Sequence, residues 1–344
     1  MTRLRQIAMA GLAAIALGGV ASSASAMETG TFQNRLNGAT IGLPLGALPP
    51  PGLYTGLSTA YLGMLSGSGT NGASTGNQCA AAVNPGACRV LPAVAQAVPL
   101  LWVPGWNFFG ANYSASVVEA FYVFVACGAG NGNGGGGCGG AAPIAGGGFV
   151  YTNTFIQPIN LSWNLGGGWF VATAFSFTAP DGTHATGTPN PDYWTFEPSV
   201  SISYLGNNWV ASWNNFYDIN TRSEGTCCAA TNITSGNAIY GDLMAVYKIG
   251  KWSIGPVGYY EFQTTSDTGN CTPAAGVNLC GRYQTAAAGA LVGYDFGPVD
   301  LQVWVTDSFV GQNTPQGSGG LNVWSRIGFK IWGPDAPRPL VSKN

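Results

Sequence analysis

The sequence predicts an all-β protein, a transmembrane antiparallel up-and-down β-barrel of about 12 strands with long outer loops and short periplasmic turns. Three observations lead there. Only 8% of residues are charged, against about 25% in soluble domains, while aromatic residues stand at 12% and glycine at 53 of 344. No clean apolar run of the ~18 residues a membrane helix requires follows the N-terminal leader; residues 90–109 come nearest and are broken by Pro92, Pro99, Pro104 and Gly105. Instead, segments of roughly ten residues alternate apolar with polar and are parted by turn residues, the signal of a strand-built membrane wall. A bilayer leaves backbone polar groups no partner but each other, so a chain without apolar helices crosses it as a closed barrel.

The elements follow in order. Arg3 and Arg5 precede an apolar run over 7–20 and the small-residue site Ala24-Ser25-Ala26, which predicts a signal peptide over 1–26, cleaved before Met27. Its removal leaves 10 Lys plus Arg against 14 Asp plus Glu, a net charge of −4. Residues 27–51 do not alternate, and Pro49, Pro50 and Pro51 offer no ladder donors. Two fates are open to this segment, a loose periplasmic tail or a lumen-plugging insertion in which Ile41, Leu43, Leu45 and Leu48 leave bulk water. The barrel is expected over 52–332, with strands near 53–65, 97–109, 112–126, 148–163, 169–179, 193–205, 209–220, 238–249, 252–264, 283–296, 300–310 and 321–332, and a C-terminal tail over 333–344. The links between strands alternate. The short ones, such as Gly206-Asn207-Asn208 and Gly250-Lys251, carry tight-turn chemistry, and the long ones lie at 66–96, 127–147, 180–192, 221–237, 265–282 and 311–320.

Strand parity tells the two faces apart. In 193–204, Trp194, Phe196, Pro198, Val200, Ile202 and Tyr204 share one face, and Tyr193, Thr195, Glu197, Ser199, Ser201 and Ser203 share the other. The apolar face belongs to lipid and the mixed face to the lumen. Trp169, Trp194, Trp209, Trp252 and Trp332 fall at strand ends, where aromatic girdles sit.

All eight cysteines fall in or at the edge of long connections. In an oxidising compartment the spacings suit local disulfides Cys79–Cys88, Cys127–Cys138 and Cys271–Cys280, leaving the adjacent Cys227 and Cys228 to pair with each other or stay reduced. Metal binding is the rival reading, but no Cys-x2-Cys pair exists and His184 is the only histidine.

Catalysis finds poor material: His184 sits in "APDGTHATG" among small polar residues, and "GAGNGNGGGGCGG" lacks the Lys-Ser/Thr ending of a phosphate loop. We therefore expect no enzyme, no cofactor and no metal, and the acidic balance of the chain excludes a nucleic-acid partner.

The lumen face is more informative. Parity gives it charges of both signs, Glu197, Asp218, Asp242, Lys248, Glu261, Asp300, Arg326 and Lys330, whose ordinary role is a salt-bridged filling of the barrel. Between them fall Tyr193, Phe216, Tyr240, Tyr259, Trp304 and Trp324. An ion pore favours charged and small polar walls, whereas aromatic footholds suit poorly soluble molecules. The transport path expected on this reading runs past Tyr193, Glu197, Phe216, Asp218, Tyr240, Asp242, Tyr259, Glu261, Trp304, Trp324, Arg326 and Lys330. Twelve strands lie between the filled eight-stranded barrel and the open channel of about sixteen, so a narrow conduit is expected.

The stretches "GALPPPGLY" (46–54), "PNPDYWTFEP" (189–198), "YDIN" (217–220), "KWSIGPVGYY" (251–260) and "VGYDFG" (292–297) resemble those of the outer-membrane transporter family of the meta-pathway of phenol degradation. The resemblance runs in order along nearly the whole chain after the leader. It implies a bacterial outer-membrane barrel for passive uptake of small hydrophobic or aromatic compounds, with membrane lipid, lipopolysaccharide and a small hydrophobic solute as partners. The alternative is a structural or surface-interaction barrel with a closed lumen. This sequence departs from the family in its cysteine-bearing loops and in the twelve residues that follow Trp332.

Overall fold

The computed structural model describes residues 34–62, 93–124, 149–183, 190–223, 234–269, 282–312 and 321–334. Twelve strands form its wall: β1 Gly52–Leu62, β2 Ala93–Val103, β3 Ala111–Phe124, β4 Thr154–Gly166, β5 Trp169–Ala179, β6 Thr195–Gly206, β7 Trp209–Asn220, β8 Ala238–Ile249, β9 Trp252–Gln263, β10 Gln284–Asp295, β11 Val299–Gln312 and β12 Asn322–Trp332. Each pairs antiparallel with the next. β12 returns to pair with β1 over Tyr61↔Val323 to Leu53↔Trp332, so the sheet closes and no edge strand is left unpaired. Two short pieces, Asn107–Phe108 and Phe149–Tyr151, add pairs at the two ends of β3.

Side chains alternate as the period of two demands. Along β6, Thr195, Glu197, Ser199, Ser201 and Ser203 are buried, while Pro198, Val200 and Ile202 are exposed. In a soluble fold this pattern would be inverted; here the buried face is the polar one, and the outer surface carries Leu, Ile, Val, Phe and Trp. Trp169, Trp209, Trp252 and Trp332 are exposed at the short-turn end and Trp194 at the long-loop end.

The short turns obey backbone geometry. Phe109–Gly110, Gly167–Gly168 and Asn207–Asn208 each place both central residues at positive φ, between 51° and 86°. This is the type I′ pattern, whose twist matches the flanking strands.

Two strands differ from the sequence reading. The one expected at 97–109 is Ala93–Val103: Pro104 has no N–H for the ladder and Gly105 sits at φ 82°, so the strand stops before them. The one expected at 148–163 is divided into Phe149–Tyr151 and Thr154–Gly166. At the break Asn153 uses its side chain instead of the ladder, donating to Pro191 O at 2.7 Å and accepting from Gly182 N at 3.1 Å. The leader, residues 27–33, His184, the tail beyond Pro334 and all eight cysteines, including Cys79, Cys88, Cys127, Cys138, Cys271 and Cys280, lie outside the described residues.

Candidate functional site

The barrel interior is occupied by the chain's own N-terminal segment. Residues 34–51 coil through successive tight turns, Ala39 N to Leu36 O at 3.1 Å, Ile41 N to Gly38 O at 3.2 Å, Leu43 N to Thr40 O at 3.1 Å and Ala47 N to Pro44 O at 2.8 Å. Gly38 and Gly42 sit at φ 82° and 84°, a region that glycine enters without steric cost. Gly42 also lies so close to the Gln302 amide that a Cβ would collide with it.

The segment runs the length of the lumen. Near the short-turn end, Gly46 N donates to Ser203 Oγ at 3.0 Å, and Ser162 Oγ donates to Gly46 O at 2.6 Å. Halfway along, Asn214 Nδ2 donates to Leu43 O at 3.0 Å. At the long-loop end, Asn34 Nδ2 reaches Thr195 Oγ1 at 2.7 Å. Thr195 to Ser203 is eight residue steps of β6, or about 26 Å of strand.

Two wall charges hold the middle of the segment. Asp242, on β8 and 3% exposed, accepts from Gly38 N at 3.1 Å, Thr40 N at 2.7 Å and Thr40 Oγ1 at 2.6 Å. Arg326, on β12, donates to the carbonyls of Ala39 and Ile41 and to Ser58 Oγ of β1. A buried charge is tolerated when such bonds satisfy it, and here most of them come from the segment's backbone, with the Thr40 and Ser58 hydroxyls completing the two sets. Ile41 packs with Tyr259, Leu291, Trp304 and Trp324. Trp304 and Trp324 face each other across β11 and β12, stacked at 5.5 Å and 6°, with the Arg326 guanidinium 4.8 Å over Trp304. Neither indole N–H has a hydrogen-bond partner among the described residues.

Of the side chains read from parity as lumenal, Tyr193, Glu197, Phe216, Asp218, Tyr240, Asp242, Tyr259, Glu261, Trp304, Trp324 and Arg326 are buried. Lys330 is exposed at the short-turn end, with Nζ 5.8 Å from the Tyr54 ring. Lys248 and Asp300 are exposed there too, because they lie at the short-turn ends of β8 and β11, beside the open mouth. The structure joins Glu197, Asp218, Phe216 and Tyr240 in one group, and Tyr259, Trp304 and Trp324 in another. The expected salt-bridged filling takes a different form: the ion pair Arg35–Glu197 links the segment to β6 and does not join two strands. Arg35, Asn34, Thr40, Asn214 and Gln302 belong to this interior and escaped the sequence reading, whereas Ser203 was read as lumenal by parity and is buried. Arg35 left one signal, as the lone cation of residues 27–51 opposite an inward face richer in acids.

Among the described residues no group of three His, Cys, Asp or Glu could hold a metal ion, and no helix is long and apolar enough to cross a membrane. Residues 89–323 match the family described as "Putative MetA-pathway of phenol degradation". The chain belongs to this family. No curated protein sequence matches it. Among solved structures it is similar to the COG4313 outer membrane channel from Pseudomonas putida F1, with a TM-score of 0.57 at 11% identity over 82% of this chain and 96% of that one. It is also similar to the NanC porin, at 0.42 and 12% over 80% and 100%, and to the beta domain of the Bordetella autotransporter BrkA, at 0.39 and 14% over 81% and 99%. At 11% identity the likeness to the Pseudomonas putida channel speaks for the closed barrel fold.

Proposed function

We propose that this protein is a bacterial outer-membrane channel for passive uptake of small hydrophobic or aromatic compounds, with the N-terminal segment as its closed-state plug. The observation that carries this reading is the composition of the inward face: Tyr193, Phe216, Tyr240, Tyr259, Trp304 and Trp324 are buried there beside only a few charges. An aromatic wall binds flat apolar solutes through ring faces and edges at little desolvation cost, while the neighbouring carboxylates and hydroxyls orient a phenolic oxygen. Family membership supports the same solute class. Membrane lipid and lipopolysaccharide surround the apolar outer face, and no catalytic group is required, since the gradient drives the flux.

The test is uptake into liposomes carrying the purified barrel, comparing phenol and small alkylphenols with sugars of similar size. Faster entry of the phenolics, beyond what protein-free liposomes allow, is the expected result; equal protein-dependent flux of both classes would overturn the selectivity. A second reading, a structural or surface-interaction barrel with a closed lumen, is favoured by the number of bonds that tie residues 34–46 to the wall. It would be upheld if no solute crossed even after that segment is removed.

A further inference from the structure

The long-loop end of the lumen contains a cage that holds a cation. The Arg35 guanidinium lies 4.0 Å from the Phe216 ring centroid, 5.0 Å from Phe155 and 5.5 Å from Tyr240. Its Nε donates to Glu197 Oε2 at 3.0 Å and its Nη2 to Glu197 Oε1. The Tyr240 hydroxyl bonds the same carboxylate and lies 3.2 Å from Asp218 Oδ1, and the Phe216 and Tyr240 rings stack at 5.1 Å and 18°. Phe155 belongs to β4, Glu197 to β6, Phe216 and Asp218 to β7, and Tyr240 to β8. The cage is therefore part of the rigid wall, and the cation alone comes from the segment.

Three aromatic faces around a carboxylate are the usual means of recognising ammonium and guanidinium groups. The Arg35 guanidinium is paired with the buried Glu197 carboxylate, which without Arg35 would be left with no cation beside it, and a buried carboxylate is costly unless paired. Beside Asp218 lies a small void of about 10 Å³, lined also by Tyr193, Tyr283, Asn34 and Ser235, with room for about one water, so the space for an organic cation is the one that the Arg35 guanidinium fills.

We propose that this chamber is a binding site for organic cations, guanidinium or alkylammonium groups on an apolar body, and that Arg35 is its tethered occupant. An incoming cation exchanges with Arg35, leaves the charge of the wall unchanged, and releases the outer tie of the segment while Asp242 and Arg326 still hold its middle. Binding at this site goes beyond the uptake of neutral aromatics and stands independently of it.

The experiment is calorimetric titration of the full-length barrel in detergent with methylguanidinium chloride, against sodium chloride of equal ionic strength. Arg35→Ala is expected to bind methylguanidinium saturably. The double variant Arg35→Ala with Glu197→Gln is expected to bind at least ten-fold more weakly. The unsubstituted protein is expected to bind at least ten-fold more weakly than Arg35→Ala, because a tethered competitor acts at an effective concentration of about millimolar or above. Should Arg35→Ala fail to assemble, it is refolded with methylguanidinium present, and recovery of the barrel by that cation but not by sodium is the expected result. Absence of saturable binding or rescue, equal binding by the double variant, or equal affinity with and without Arg35 would each overturn the proposal.

Discussion

Replacing Asp242 by alanine tests whether the segment is held by specific bonds or simply lies in the lumen. The carboxylate accepts from Gly38 N, Thr40 N and Thr40 Oγ1 at 2.6–3.1 Å. Hydrogen bonds to a charged group contribute about 1.5–3 kcal/mol each, so the three together give roughly 4–9 kcal/mol in gross terms. Against this, the alanine no longer carries a buried charge, which relieves a desolvation penalty of several kcal/mol, and water entering the vacated space satisfies some of the freed donors. A net loss of about 2–4 kcal/mol from the docked state remains, which lowers the docked-to-released ratio by about 30- to 700-fold. In planar bilayers Asp242→Ala should show frequent openings toward the conductance of a barrel without its segment, and the amides of Gly38 and Thr40 should exchange hydrogen faster. Asp242→Asn, which keeps one acceptor oxygen, should fall between. Unchanged current together with unchanged exchange at both amides would refute the reasoning.

Deleting residues 29–46 should raise single-channel conductance without preventing barrel assembly, scored by heat-modifiable mobility, and the open lumen should prefer cations, since Glu197, Asp218, Asp242 and Glu261 then face water with Arg326; unaltered conductance from a folded deletion would remove the plug. Changing Asn207 and Asn208 together to alanine forces two Cβ-bearing residues without a local side-chain bond into the left-handed region, at roughly 1–2 kcal/mol each, and should lower the unfolding midpoint in urea while leaving conductance unaffected. Non-reducing peptide mapping should recover Cys79–Cys88, Cys127–Cys138 and Cys271–Cys280 as bonded pairs, and dominant cross-loop pairs would show the loop assignment wrong.

Much of this architecture is legible because a strand has only two faces. Glu197 and Val200 differ in parity, and nothing beyond counting is needed to send one inward and the other to lipid. Turns such as Asn207–Asn208 are equally local. Strand ends were less legible where apolar residues continue past the break: Trp106, Phe108 and Phe109 extend the pattern of β2, yet Pro104 and Gly105 interrupt the ladder, and only the short piece Asn107–Phe108 resumes it against β3. Least legible was what the lumen charges touch. Arg35 and Glu197 are 162 residues apart and Arg326 and Ile41 are 285 apart, and no periodicity in either stretch refers to the other. Parity could place Asp242 inside the barrel, but only the folded chain shows that its partner is a backbone turn at 38–40.

Arg326 has a consequence for how the molecule is made. Its residue pairs with Ser58 in the β1–β12 seam, its Nε bonds the Ser58 hydroxyl at 3.1 Å, and its other nitrogens hold the carbonyls of Ala39 and Ile41. The first and last strands to leave the ribosome thus meet at the residue that also binds the segment preceding the first. A loop closed over nearly 270 residues forms late, after local hairpins have zipped. Once β12 has joined β1 the wall has no gap, and the segment can enter afterwards only by threading a narrow lumen end-on. The productive order is therefore for residues 34–51 to lie within the curling sheet before its edges meet, so that one side chain joins the edges and fastens the enclosed strand of chain in a single late event.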